Sequence, residues 1–213
     1  IGTVEGLLIL QPDTKSISQY RFSYEDSSSL GHNSVRSLLR DHQGGMWVGT
    51  YHGGLNYYHV LAPDFRVLQH SVYRNSLSDN TISCIAEDPF NNNLWIGTSE
   101  GLNVMDKRTG EIKKYKAPSI SNNVVSALCV TRDNTLWVGT DNGLCRYVPE
   151  KDTFVVCGDE FGDGRLRYVT IKSLLEDSDG DLWIGTWAQG LFRYSPSTDK
   201  VVVYPKINEQ YSS

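Results

Sequence analysis

Apolar and polar positions alternate in short runs along this chain, and each run stops at a cluster of Asp, Asn, Gly or Ser. Residues 81–86 alternate apolar with small or polar side chains, and the Asp-Pro-Phe-Asn-Asn-Asn stretch at 88–93 turns the chain. Residues 94–98 are rich in strand-forming types, a Ser-Glu-Gly turn follows at 99–101, and 102–105 make a third run. A further turn at 106–110 leads into 111–116, which alternate as an exposed outer strand does. Alternation with a period of two, broken by turn residues, predicts half-buried β-strands. No segment sustains the helical period of about 3.6 residues, so the pattern predicts an all-β chain.

The four runs return as a unit. Leu94-Trp95-Ile96-Gly97-Thr98 reappears as Met46-Trp47-Val48-Gly49-Thr50, Leu136-Trp137-Val138-Gly139-Thr140 and Leu182-Trp183-Ile184-Gly185-Thr186, and the chain opens on Ile1-Gly2-Thr3. The threonines at 3, 50, 98, 140 and 186 are 47, 48, 42 and 46 residues apart. Four strands in a period of that size predict a β-propeller of four-stranded antiparallel blades. A lone four-stranded meander exposes an apolar face, so neighbouring blades are expected to cover one another. The tryptophan and the Val or Ile after it are expected to wedge between blades, and the glycine to allow a close approach. The threonine hydroxyl is expected to bond locally. The later Gly6, Gly54, Gly101, Gly143 and Gly190 suit a positive φ. These are structural roles, and the motif itself is assigned no catalysis.

Residues 1–28 supply one incomplete blade, and complete blades are expected at about 29–74, 75–118, 119–162 and 163–213. That makes a partial ring of about four and a half blades, whereas closed propellers typically have roughly four to eight. A chain that opens inside a repeat reads as a piece of something longer. Open blade faces are apolar, so the expected partners are a second copy, as a homodimer, or the remaining blades of the parent chain.

Composition narrows the chemistry. A net charge of −5 supplies no basic patch for nucleic acid, and no run of apolar residues is long enough to insert in a membrane. The four cysteines follow no metal-ligand spacing, and no cofactor is expected. Cys145 and Cys157 flank a turn symmetrically, so they are either a cross-strand disulfide or two buried thiols. Asp177-Ser178-Asp179-Gly180-Asp181 hints at calcium, but its glycine comes too early for an EF-hand, and it aligns with the turn Asp41-His42-Gln43-Gly44-Gly45. The five histidines, at 32, 42, 52, 59 and 70, form no local catalytic set.

The Val/Ile-x-Ser first strand, the Asp- or Asn-rich turn, Leu-Trp-Ile/Val-Gly-Thr and Gly-Leu-x-x-Tyr together resemble the two-component regulator propeller repeat, in four full copies and one partial. Many repeats of that family carry Asn just before the first strand, as at Asn33, Asn80 and Asn123; the last copy has Arg167-Tyr168 there. The resemblance implies a periplasmic location, as part of an inner-membrane-anchored hybrid histidine kinase. It also implies a role in sensing glycan breakdown products to switch on carbohydrate-use genes. The kinase, receiver and DNA-binding parts are not in this sequence.

Function tends to sit on loops. The turns joining the second and third strands are bland at Ser99-Glu100 and Asp141-Asn142, but one residue longer at Tyr51-His52-Gly53 and Trp187-Ala188-Gln189. An aromatic with polar neighbours there suits stacking on a sugar. The candidate ligand-binding residues are Tyr51, His52, Trp187 and Gln189. The blade connections add Tyr73, Arg74, Arg165, Arg167 and Tyr168, where arginines suit an acidic sugar or sulfate. The alternative is that these side chains pack the rim or meet further blades. Three functions are therefore expected in order: a non-enzymatic sensor binding an oligosaccharide, an interaction scaffold without a small ligand, and a propeller lyase using His52 or His70 near an axial metal.

Overall fold

The structure is a computed structural model and describes residues 1–73, 75–157, 164 and 166–204. Its strands form five antiparallel meanders. The first is three-stranded: β1 (Gly2–Thr3), β2 (Gly6–Gln11) and β3 (Ser16–Tyr20). The second is β4 (Val35–Arg40), β5 (Met46–Thr50), β6 (Leu55–His59) and β7 (Ala62–Leu68). The third is β8 (Ile82–Asp88), β9 (Asn93–Thr98), β10 (Gly101–Asp106) and β11 (Ile112–Tyr115). The fourth is β12 (Val125–Val130), β13 (Leu136–Thr140), β14 (Gly143–Val148) and β15 (Thr153–Val156). The fifth is β16 (Ile171–Glu176), β17 (Leu182–Thr186), β18 (Leu191–Ser195) and β19 (Lys200–Tyr204). These are propeller blades in strand order, and the chain is all-β, with a short 3-10 turn at Pro149–Lys151.

The chain divides into two compact units, Ile1–Lys116 with Asn123–Val125, and Ala117–Asn122 with Ser126–Ser213. In the first, Val48 packs with Leu7, Leu30 and Phe65, while Trp47 packs with Leu77, Ile82 and Ile96. Successive residues of a strand face opposite sides of the sheet, so one sheet reaches both neighbours through adjacent positions. In the second unit, Trp137 joins Leu166, Ile171 and Ile184. Each fully buried side chain of this kind contributes roughly 1.5–3 kcal/mol.

The repeat glycine meets a particular partner. A Cβ on Gly2 would lie 2.6 Å from Cγ1 of Val35, and one on Gly49 would lie 2.6 Å from Cγ2 of Ile82. In the second unit, a Cβ on Gly139 would lie 2.5 Å from Cγ2 of Ile171. The glycine is therefore a socket for the β-branched residue that opens the next sheet. Five residues before that residue stands a buried apolar one, as Leu30, Leu77, Ile120 and Leu166. With Leu166 in that place, the residue standing where Asn33, Asn80 and Asn123 stand is Val169. Arg167 and Tyr168 correspond instead to Gly31-His32 and Ser78-Asp79.

Every repeat threonine donates its hydroxyl to the carbonyl of the glycine that closes the following turn: Thr3 to Gly6, Thr50 to Gly54, Thr98 to Gly101, Thr140 to Gly143 and Thr186 to Gly190, over 2.7–3.0 Å. All five glycines have positive φ, and at Gly54 a Cβ would also collide with the Leu68 carbonyl.

Asp177 accepts N–H bonds from Asp179 and Asp181 on one oxygen and from the Trp183 indole on the other, at 2.6 Å. Asp41 does the same for Gln43, Gly45 and Trp47. The aspartate-rich stretch is thus a turn lock. Cys145 pairs in register with Val156, so Cys157 lies one place beyond it, and both are free thiols. Burial pushes both up, Cys157 to about 12, which leaves them unreactive near neutral pH.

In two sheet pairs a clasp closes the end away from the glycine socket. In the first unit His42 Nδ1 lies 2.6 Å from Glu87 Oε1, and Lys107 bonds the same carboxylate. In the second, the Arg132 backbone N–H and guanidinium both reach Glu176. Burial alone would raise Glu87, but the bonds from Lys107 and His42 outweigh it and hold the carboxyl below the usual glutamate range. A carboxyl depressed on folding contributes stability above its unfolded value of about 4.3 and loses it as pH falls through the folded value. Glu87→Gln is therefore expected to destabilise the chain at neutral pH, by a margin that shrinks below about pH 4. Urea melts across pH check this, and a margin independent of pH contradicts it.

Candidate functional site

The rim is built from backbone irregularities at the start of β4, β8 and β16. The register slips between Val35 and Ser37, between Ile82 and Cys84, and between Ile171 and Ser173. The extra residues are Arg36, Ser83 and Lys172. A β-bulge re-aims the extra side chain. Cζ of Arg36 lies 4.7 Å from the Tyr51 ring centroid, and Nζ of Lys172 lies 5.8 Å from that of Trp187. Where the bulge carries Ser83, the loop is Ser99-Glu100; where β12 has Ser126 as its second residue, the loop is Asp141-Asn142. A cation and an aromatic thus occur together or not at all. Arg36 and Lys172 were not among the residues expected from sequence, although this matched variation within the repeats is visible there.

In the first unit the cluster runs Arg36, Tyr51, His52, His32. The Tyr51 and His52 rings are 3.9 Å apart, and His52 and His32 are 6.5 Å apart edge to face. His52 has a φ of 69°, the left-handed conformation, and its Nδ1 is 3.3 Å from the Thr81 hydroxyl. The Ser34 N–H donates to Nδ1 of His32, which places the proton of the neutral ring on Nε2. Tyr51 is 38% exposed and has both Arg36 and His52 against its ring.

In the second unit Trp187 is 77% exposed. Its backbone N–H donates to Thr170 O, while Gln189 N–H donates to the Thr186 hydroxyl, so the loop is tied at both ends. Lys172 is held by Asp141, 2.9 Å away. A groove of about 420 Å³ runs from Trp187 past Gly185 and Leu191 to Tyr204. Tyr168, 66% exposed at a φ of 61°, carries Arg167 over its ring at 4.8 Å. Left-handed φ is costly for an aromatic residue and is concentrated at functional positions.

Tyr73 is 92% exposed on a connection that Asn75 ties to Gly110 O and Ile112 N. That is the β10–β11 turn, at the end of the sheet opposite the Thr98–Gly101 turn. Arg74 and Arg165 lie outside the described residues. The backbone N–H of His70 donates to Asn80, and its Nδ1 lies 2.8 Å from the Leu77 carbonyl, so the ring is bound within its own connection. Among the described residues no three His, Cys, Asp or Glu side chains are grouped to hold a metal, and no helix is long and apolar enough to cross a membrane.

Repeated four-stranded meanders in strand order define a β-propeller. Residues 29–52, 76–100, 119–142 and 165–188 match the family described as two component regulator propeller, and the chain belongs to that family. A histidine kinase named P4 from Formosa agariphila is 32% identical over 201 residues, covering 90% of this chain and 14% of that protein. The extracellular domain of a protein assigned to the hybrid two-component systems of B. thetaiotaomicron superposes with a TM-score of 0.80 at 24% identity, over 98% of this chain and 27% of that one. Virginiamycin B lyase from Staphylococcus aureus matches with a TM-score of 0.68 at 16% identity, over 97% of this chain and 64% of that one. At those identities the two structures share a fold with this chain. The chain spans about a seventh of its curated relative, at 14%, and about a quarter of the extracellular domain, at 27%.

Proposed function

We propose that this chain is a non-enzymatic, periplasmic part of a hybrid two-component sensor, anchored at the inner membrane through its parent protein, and that its rim binds an oligosaccharide. Trp187 carries this reading: a 77% exposed indole on a loop anchored at both ends, with Gln189 on the same loop. A held aromatic face with polar neighbours suits the apolar face and hydroxyl edge of a sugar ring, and little side-chain freedom is lost on binding. Tyr51 supports the reading less, because Arg36 and His52 already lie against its ring. The two-component context of the family and the extracellular setting of the superposed domain support the location.

Calorimetry against a panel of neutral oligosaccharides tests the proposal. At least one should bind, and Trp187→Ala should weaken it about tenfold or more, or about 1.4 kcal/mol, as expected for an aromatic anchor. Binding unaffected by Trp187→Ala, or no binding by any member of the panel, sinks it.

A further inference from the structure

The two bulge cations differ in what holds them. Lys172 is paired with Asp141 at 2.9 Å, so its charge is matched within the protein. Arg36 is exposed and lies on Tyr51, and among the described residues no hydrogen bond or ion pair claims its guanidinium. Contact with the Tyr51 ring restrains the guanidinium, which lowers the entropy lost when it is bound. Next in the cluster come His52 and His32, the latter with its Nε2 proton available. Asp79, on the connection to the next sheet, uses its Oδ1 to accept the N–H of Thr81, the residue touching His52.

An unclaimed guanidinium held against Tyr51, whose ring His52 also touches, is a donor suited to an oxyanion, to which Arg binds bidentately. We propose that the first-unit rim, with Arg36 as anchor and His52 linked to it through Tyr51, binds the carboxylate or sulfate group of an acidic sugar. This rests on the reading of the rim as a sugar site and adds the charge class of the sugar taken at Arg36.

Nuclear magnetic resonance titrations of the 213-residue chain with sodium glucuronate, glucose 6-sulfate, glucose and sodium glutamate test this. Glucuronate or glucose 6-sulfate, according to which oxyanion fits, should shift the Arg36 Nε–H and His52 ring signals, and glucose should not. Arg36→Ala should weaken the acidic sugar by about 10- to 100-fold, as for a lost charge-assisted hydrogen bond. Arg36→Lys should restore part of the affinity. His52→Asn, which tolerates the left-handed backbone, should weaken it less. Unchanged melting temperatures will show that the variants fold. Acidic-sugar affinity that survives Arg36→Ala overturns the proposal while leaving the Trp187 result standing. Equal binding of glucose overturns the charge class, and tighter binding of glutamate than of either acidic sugar makes the site one for acidic peptides. If no sugar binds at either rim, both readings fail together.

Discussion

Replacing Trp47 with alanine is expected to lower the unfolding free energy by about 3–5 kcal/mol, the range for deleting a buried large aromatic. Trp47 is buried among Leu77, Ile82 and Ile96, which belong to the next sheet of the first unit or its leading connection. Its ring lies 4.4 Å from that of Tyr57, and its indole N–H donates to Asp41 at 2.9 Å. The substitution therefore opens a cavity between two sheets and strips a buried carboxylate of a donor. Trp47→Phe separates the two effects: most packing remains, but Asp41 loses its indole bond, at a cost of about 1–3 kcal/mol. Urea denaturation reads both, and a loss under about 1 kcal/mol for the alanine variant would contradict the wedge role.

Gly139→Ala is expected to cost about 1–3 kcal/mol by overpacking. The φ of Gly139 is not in the left-handed region, so a Cβ is conformationally acceptable and the cost is steric. That Cβ would lie 2.5 Å from Cγ2 of Ile171 and 3.3 Å from Cβ of Ala127, both buried residues. Ile171→Ala alone should cost about 2–5 kcal/mol through a cavity. Combined, the new methyl occupies part of the space the isoleucine leaves, so the double variant should be at least about 1 kcal/mol more stable than the sum of the singles implies. Additivity within about 0.5 kcal/mol would show that the glycine and isoleucine are not a socket and its plug.

Much of the fold was legible because its determinants are local. Turn chemistry and period-two alternation depend on residues near in sequence, so strand order and the Thr–Gly turn bonds could be anticipated from 50, 98 or 186 alone. The glycine was harder. Its need for space was clear, but its partner, Ile82 for Gly49 or Ile171 for Gly139, lies some thirty residues on and is named only by geometry. Leu166 was missed for a related reason. Its five-residue spacing from Ile171 matches the other repeats, but the eye follows Asn33, Asn80 and Asn123, and the polar Arg167-Tyr168 pair obscures the phase.

The site was legible in its loops and not in its bulges. Trp187 and Tyr51 stand out because a turn elsewhere built of Ser or Asp has become aromatic and longer. Arg36 and Lys172 lie inside strands, where an exposed cation reads as an ordinary outward residue. Only the register slip turns each toward its aromatic. Tyr73 shows the reverse limit. A connection is long enough to lead to either end of a blade, and Asn75 decides which.

Two sheet pairs, the second with the third and the fourth with the fifth, are fastened twice: at a glycine socket near one end, Gly49–Ile82 or Gly139–Ile171, and at a carboxylate clasp near the other, His42–Glu87 or Arg132–Glu176. A single fastening would act as a pivot, and blades could fan open around it. Two fastenings some strand-length apart take away that rotation, so the two blades of such a pair behave as one lever. A push delivered at Arg36 or at Trp187 would then displace its blade pair instead of loosening a loop.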